Sequence, residues 1–211
     1  EDEQSPVVSP DGKKVSFMRG RGTFVVADIN KDGTLGKETI LSDGWASADN
    51  VAWSPDSKWL AYTMADLYFN DEIYIQPADN SAKPVNVSMH PRGDFSPFWS
   101  PDGSKLGFIS GRNSRNNDVW FVWMKKEDWQ KTKQDWDDKE PAKKDDKAGK
   151  KDSAKVTPVV IDFENIHERL TQVTSFPGNE GSVLISKDGE TFYYVGSNSS
   201  AKGNDLYSIK W

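Results

Sequence analysis

The sequence predicts an all-β protein, a β-propeller segment of about four antiparallel four-stranded blades. The first observation is a turn, Ser-Pro-Asp-Gly, at residues 9–12 and 100–103, with Ser-Pro-Asp-Ser at 54–57 and Ser-Lys-Asp-Gly at 186–189. Its second position recurs at 10, 55, 101 and 187, at intervals of 45, 46 and 86 residues. A four-stranded blade occupies about 40–45 residues, and the last interval contains an insertion. The second observation is an aromatic content of 12% with nine Trp, which favours sheet.

The residues of each turn have the chemistry of a hairpin connection. Proline fixes the backbone angle of the second position, aspartate can accept a bond from its own main chain, and glycine accepts a positive φ. An apolar strand precedes the turn and an alternating run follows it. In the third unit this alternation places Leu106 and Phe108 on one face and Gly107 and Ile109 on the other.

The first two units each supply four predicted strands. In the first unit the strands lie near 5–9, 14–19, 23–29 and 37–42. In the second they lie near 51–54, 59–64, 72–77 and 84–88. The spacing predicts blades at about 1–44 and 45–90, followed by 91–176 and an incomplete one at 177–211.

The third unit runs from Phe95 to Met124 and is then interrupted. Residues 125–155 contain 11 Lys against nine Asp and Glu, with few apolar residues, which predicts a disordered charged insert. The alternative is a short amphipathic helix at 127–138 that packs through Trp129 and Trp136. An extended run at 156–162 and an outer strand at 167–174 complete the unit. The fourth unit offers strands at 181–186, 191–195 and 206–211.

At these turns the chain resembles the Tricorn-protease and Tol-system propellers, whose blades carry a Phe/Trp-Ser-Pro-Asp-Gly turn. Residues 161–170 (Ile-Asp-Phe-Glu-Asn-Ile-His-Glu-Arg-Leu) are similar to a segment in the second propeller of bacterial Tricorn-type serine peptidases, where it also follows a charged insert. The resemblance covers essentially the whole chain and reaches no catalytic domain. It implies a propeller segment that admits or guides peptides to a protease domain elsewhere, in an extracytoplasmic compartment such as the bacterial periplasm.

Two alternative functions remain open from the sequence. One is a binding or scaffold propeller like the Tol-system protein, which works through protein contacts. The other is the propeller of a prolyl-oligopeptidase-like enzyme, which gates an α/β-hydrolase domain. Because the chain begins at an innermost strand and ends at a third strand, we expect an open part of a six- or seven-bladed ring, or a subunit that self-associates through its open blade edges.

Composition excludes several kinds of chemistry. There is no cysteine, so thiol catalysis and cysteine-based zinc sites are excluded. A formal charge of −6 argues against nucleic-acid binding. The sequence contains no apolar run of about 18 residues, the length needed to span a membrane. His90 and His167 are the two histidines, and no Gly-x-Ser-x-Gly motif exists. We therefore expect no catalytic residue and no cofactor in this segment, and peptides or proteins as partners.

One loop has part of a calcium-binding pattern. Asp28, Asn30 and Asp32, followed by glycine, match the first six positions of a calcium loop, but Thr39 stands where a bidentate Glu is needed. Asn-Lys-Asp-Gly between two strands is also ordinary turn chemistry. The sequence favours the hairpin and predicts no metal site.

Acidic residues recur at the starts of the innermost strands. They lie eight or seven residues before each turn aspartate and are Glu3, Asp49, Asp94 and Glu180. Because innermost strands of a propeller line its central channel, these carboxylates are the predicted substrate-binding residues, a ring at one channel mouth that favours basic peptide termini. The alternative is that their recurrence is a coincidence of loop composition, and that each carboxylate is solvated and its charge screened by salt.

Overall fold

The computed structural model describes residues 2–113, 116–137, 156–197 and 203–211, and within them it contains four antiparallel sheets. The first sheet is formed, in spatial order, by β1 (Glu3–Val8), β2 (Lys14–Arg19), β3 (Thr23–Ile29) and β4 (Leu35–Asp43). The second is formed by β5 (Asp49–Trp53), β6 (Trp59–Ala65), β7 (Asp71–Pro77) and β8 (Val85–Asn86). Each sheet is therefore a meander of strands that are consecutive in the sequence.

The third and fourth sheets repeat the same order. The third is formed by β9 (Asp94–Trp99), β10 (Lys105–Ser110), β11 (Asp118–Trp123) and β12 (Leu170–Gln172). The fourth is formed by β13 (Glu180–Ile185), β14 (Thr191–Ser197) and β15 (Asn204–Lys210). The predicted all-β class and the four-sheet architecture are confirmed.

The segment between β11 and β12 differs from the prediction in two places. Two short helices, α1 (Lys126–Trp129) and α2 (Lys133–Asp137), occupy the first part of the predicted disordered insert. Trp136 stacks on Trp123 with ring centroids 5.3 Å apart, so the alternative of a helix packed through its tryptophans holds in part. Residues 138–155 lie outside the described residues. Where the sequence predicted an outer strand at 167–174, the structure has a 3-10 helix (Ile166–Glu168) followed by the three-residue strand β12.

Three apolar cores separate the four sheets, one between each neighbouring pair. Phe24 of the first sheet packs with Leu60 and Tyr62 of the second. The second core joins the opposite face of the second sheet to Leu106 and Phe108. The third contains residues of β11, β13 and β14 together with Ile109, which confirms the predicted alternation along β10. Sheets stacked face to face in chain order are the arrangement of propeller blades.

The four Ser-x-Asp turns share one set of hydrogen bonds. In each turn the serine hydroxyl donates to the aspartate two residues later and accepts from a backbone N–H five residues later. The fourth turn position has a positive φ in all four, at Gly12, Ser57, Gly103 and Gly189. The turn chemistry predicted from the sequence is thus confirmed, and Ser57 shows that a residue other than glycine can occupy this position.

Substitutions at two equivalent turn glycines should separate backbone strain from steric crowding. Within the described part of the chain, a Cβ at Gly12 would meet nothing within 4 Å, whereas a Cβ at Gly103 would lie 2.5 Å from Cγ2 of Val159. Gly12→Ala should cost about 1–2 kcal/mol of unfolding free energy for the left-handed conformation alone. Gly103→Ala should cost about 1–3 kcal/mol more because Val159 is buried and stiff. Denaturant unfolding measures both, and equal losses would contradict the contact with Val159.

Polar contacts also join neighbouring blades at the turn end. Nε1 of Trp53 donates to the carbonyl of Val7 at 2.9 Å, and Nε1 of Trp99 donates to that of Ala52 at 3.2 Å. Both tryptophans precede the turn serine, and both acceptors lie in the inner strand of the preceding blade. Nζ of Lys105 donates to the carbonyl of Gly189 at 3.1 Å and so joins the third turn to the fourth. Within the described part of the chain, no helix is long and apolar enough to cross a membrane.

Candidate functional site at the starts of the inner strands

The first strand of each sheet is its innermost strand. β5 contacts both β1 and β9, and β9 contacts β13, so the four first strands lie side by side. In all four sheets the start of this strand lies at the end opposite the Ser-x-Asp turn. Loops between the second and third strands reach the same end, because neighbouring strands are antiparallel. One end of the assembly therefore collects the four strand starts that the sequence predicted to bind ligand.

Each inner strand contains a β-bulge at the same position. The pairing register shifts once in each strand, and a residue with φ between 50° and 55° lies four positions before the turn serine: Ser5, Asn50, Ser96 and Ser182. Short polar residues tolerate this left-handed conformation better than bulky ones. A recurrent bulge bends the strand and redirects the side chains that precede it. The orientation of the acidic residues is therefore set locally in every blade.

Three of the four predicted acids are structurally equivalent, and the fourth is not. Glu3, Asp94 and Glu180 lie six residues before the turn serine and pair across the ladder with Arg19, Ser110 and Gly196. Asp49 lies five residues before its turn serine and pairs with Thr63. In the third blade the residue at this position is Phe95. Buried Ala48 stands at the equivalent position. The spacing of seven rather than eight residues that the sequence shows for Asp49 is therefore a shift of one position along the strand, and in a strand one residue reverses the face.

The acids of the first two blades are exposed. Oε1 of Glu3 accepts from Nη2 of Arg19 at 3.0 Å, and the same guanidinium binds Glu38 at 2.8 Å. Arg19 lowers the pKa of Glu38, so this carboxylate stays ionised. Exposed pairs of this kind contribute little to stability. Asp49 is exposed as well. These two are the members of the predicted set that a ligand can reach without rearrangement.

Asp94 is fully buried, in contrast. Its Oδ2 accepts from Nη2 of Arg112 at 2.8 Å, and Arg112 also lies over the rings of Phe108 and Trp120. Glu72, another buried acid, is close enough for the charge of Asp94 to raise its pKa, although burial is the larger cause. Burial also raises the pKa of Asp94, against the opposing effect of Arg112. Asp94 and Arg112 form a buried ion pair that holds the third inner strand.

Glu180 is buried between the third and fourth blades. Thr174 donates its hydroxyl to Oε2 of Glu180 at 3.0 Å. Burial, and secondarily the buried carboxylate of Asp118, raises the pKa of Glu180 to about 7. Asp118 in turn accepts from Nε2 of Gln172 at 3.2 Å. With this pKa, Glu180 changes its charge near neutral pH.

The raised pKa of Glu180 predicts a specific pH dependence of stability. Between its ordinary value of 4.5 and about 7, the folded state holds a proton that the unfolded state has lost. The free energy of unfolding should therefore fall as pH rises through this window. Glu180→Gln removes this titration. The free energy of unfolding of the variant should therefore rise relative to that of the wild type as the pH increases from 4.5 to 7. Parallel stability curves in urea titrations over this range would contradict the assignment.

The remaining sequence candidates have ordinary surroundings. In the loop between β3 and β4, Asn30 and Asp32 both contact Thr34, and Asp28 pairs with Lys14 at 2.6 Å. These contacts build the hairpin that the sequence favoured over a calcium loop. His90 donates its backbone N–H to Glu72, and His167 lies in the 3-10 helix. Arg112 was not singled out from the sequence; only its pairing with a buried acid reveals its role.

Comparison with known proteins shows similar sequences in peptidases. The chain is 31% identical over 106 residues, half of its length, to a "Putative Tricorn-like protease C-terminal subunit" of Sulfurisphaera tokodaii and to a "Tricorn protease homolog" of Saccharolobus solfataricus. It is 29% identical over 128 residues to "Dipeptidyl-peptidase 5" of Trichophyton equinum. The matched regions span 12%, 10% and 17% of these relatives. No family model matches the chain.

Solved structures share the fold over nearly all of the chain. The crystal structure of the tricorn protease aligns with 99% of this chain and 21% of its own, with a TM-score of 0.70 and 13% identity. TolB from Acinetobacter baumannii aligns with 99% of this chain and 41% of its own, with a TM-score of 0.61 and 16% identity. The chain therefore has the β-propeller fold seen in the tricorn protease and TolB, and over half of its length its sequence is similar to Tricorn protease homologues.

Proposed function

We propose that this chain is a non-catalytic propeller segment of a Tricorn-type serine peptidase, which admits or guides peptides to a protease domain outside these residues. The observation that supports the proposal most is the alignment of the four inner strands, whose starts lie at one end of the assembly with accessible carboxylates at Glu3 and Asp49. Low-dielectric walls focus the field of such carboxylates and attract cationic peptide groups. The similarity to peptidase sequences supports the class of ligand.

The proposal assigns no catalytic step to these residues. Nucleophilic hydrolysis requires a serine activated by a nearby base, and the surroundings of His90 and His167 supply no such pair among the described residues. The proposal also includes an extracytoplasmic location, supported by the resemblance to bacterial members. Self-association through the outer edge of β15 stays a prediction, which sedimentation velocity over a range of protein concentrations would check.

Binding without cleavage tests this proposal. The purified chain is equilibrated with a digest of unfolded protein, separated from unbound peptide by rapid gel filtration, and the retained peptides are sequenced by mass spectrometry. We expect retained peptides that are enriched in Lys and Arg and whose masses do not change after long incubation. New termini that disappear in His90→Ala or His167→Ala would overturn the non-catalytic assignment. Absence of any retained peptide would overturn the ligand class.

A further inference from the structure

An exposed apolar hairpin tip and a neighbouring loop form a groove at the same end as the inner-strand starts. The loop between β6 and β7 projects Leu67, Tyr68 and Phe69, which are 83%, 83% and 79% exposed. Trp45, between β4 and β5, is 59% exposed and meets Phe69 edge to face at 5.3 Å. The groove between the two loops has a volume of about 500 Å³ and continues down to Met64 and Tyr74. We call it the aromatic groove.

The tip is held rigidly although its side chains are exposed. Oδ1 of Asp66 accepts from the backbone N–H groups of Tyr68 and Asn70, and the backbone of Asp66 forms two further bonds across the turn. Phe69 has φ 62°, a conformation that a bulky residue adopts at a cost. Turns with this geometry usually contain Gly or Asn at such a position. Three consecutive exposed apolar residues on a fixed turn thus indicate a contact surface rather than a solvated loop.

The carboxylates along the groove favour a positively charged ligand. Asp43 and Asp66 line the groove, and among the described residues its lining contains no lysine or arginine. Hydrogen bonds from Asn70 and Tyr68 lower the pKa of Asp66, which keeps it ionised. Neither carboxylate forms an ion pair within the described ranges. A second copy of a chain with net charge −6, or an anionic lipid surface, would on average be repelled, whereas a basic segment would be attracted.

We propose that the aromatic groove binds an extended peptide segment that carries apolar side chains together with at least one lysine or arginine. The apolar side chains pack against Trp45, Leu67 and Tyr68, which line the groove. The cationic group lies against Asp43 and Asp66. Exposed, immobilised aromatic residues are the anchors that dominate binding at such surfaces. This inference rests on the proposed function and adds a recognition site that lies outside the inner strands themselves.

Calorimetric titration with three blocked synthetic octapeptides tests the proposal on the whole 211-residue chain. The first probe contains two Phe, two Leu, two Lys and two Gly; in the second Glu replaces Lys, and in the third Ser replaces Phe and Leu. We expect the first probe to bind at least about tenfold more tightly than either of the others. Tyr68→Ser and Asp43→Asn should each weaken the first probe by about tenfold or more. Leu35→Ser, an exposed apolar residue at the opposite end, is the matched control and should change nothing.

Each outcome distinguishes this site from the proposed function. If the first probe binds but Tyr68→Ser and Asp43→Asn bind it as tightly as the control, the groove is not the site, and the peptide-guiding proposal stands. If no probe binds, the groove proposal falls, whereas the peptide-guiding proposal is decided separately by the retention of peptides from the digest. If the Glu probe binds equally well, the charge argument is wrong. If instead the chain dimerises and Tyr68→Ser makes it monomeric, the groove is occupied by a second copy. Circular dichroism of each variant excludes unfolding as the cause of a loss.

Discussion

Replacing Arg112 with Met should destabilise the chain by about 3–5 kcal/mol, because it leaves the buried carboxylate of Asp94 without its cation. Met retains much of the side-chain volume, so lost packing is a minor part of the effect. The nearby buried acid Glu72 adds repulsion to the uncompensated charge. Denaturant unfolding at neutral pH measures the loss. The matched control is Arg19→Met, whose solvent-exposed pairs with Glu3 and Glu38 should contribute much less to stability than the buried pair does.

The pH dependence of this variant identifies the cause of its instability. Burial raises the pKa of Asp94, and without Arg112 its pKa should rise further. A carboxyl whose folded pKa lies above its unfolded value stabilises the protein fully below the unfolded value, and this contribution is lost as pH rises through the folded pKa. The deficit of Arg112→Met should therefore shrink as the pH falls toward 4, and Asp94→Asn in the same background should reduce it at pH 7. A deficit that does not change with pH, or no rescue by Asp94→Asn, would contradict the buried pair.

Gly107→Ala should destabilise the chain through steric crowding alone. Gly107 lies in the central strand β10, and an added Cβ would fall 2.2 Å from Cε2 and Cζ of Phe98 on β9. The aromatic ring packs toward the core between the third and fourth blades and cannot retreat without disturbing it. Overpacking of this kind costs about 1–3 kcal/mol, which denaturant unfolding resolves easily.

Two variants establish that the contact with Phe98 is responsible. Gly181→Ala, in the inner strand β13, introduces a Cβ that has no described atom within 4 Å and should be neutral or slightly stabilising. Phe98→Leu combined with Gly107→Ala should recover part of the loss, because the smaller side chain leaves room for the methyl group. If Gly107→Ala matches Gly181→Ala, the close approach of ring and backbone is not real.

The local patterns of the sequence predicted the fold well. The turn repeat gave the number of sheets, and alternation along β10 gave the faces of Leu106, Phe108 and Ile109, which lie in two different cores. The blade boundaries stay a prediction. Tertiary packing explains the differences: Trp136 finds a stacking partner in Trp123, which orders the first part of the charged insert despite its composition. No count of charges along the chain reveals that partner.

The candidate site was predicted less completely, for reasons of register and burial. The count from the turn aspartate is seven residues for Asp49 and eight for the other three acids. Strand pairing shows that this offset is a real shift, with Ala48 at the equivalent position in the second blade. Sequence cannot show that Asp94 and Glu180 are buried while Glu3 is exposed, because burial depends on neighbouring blades. The run Leu67-Tyr68-Phe69 between Asp66 and Asn70 was visible as apolar residues within a turn. That signal could have pointed to the aromatic groove.

The most direct test of peptide guidance is to obstruct the strand-start end in the Tricorn-type peptidase that we propose contains this chain. The chain has no cysteine, so Asp49→Cys provides a thiol here that a bulky polymer maleimide can modify. We expect the adduct to lower kcat/KM for a long peptide by about tenfold or more and to change it by less than about twofold for a blocked dipeptide substrate. The same adduct at Leu35→Cys, at the opposite end, is the control. Equal losses for long and short substrates, or none for either, would contradict a role of these blades in guiding peptides.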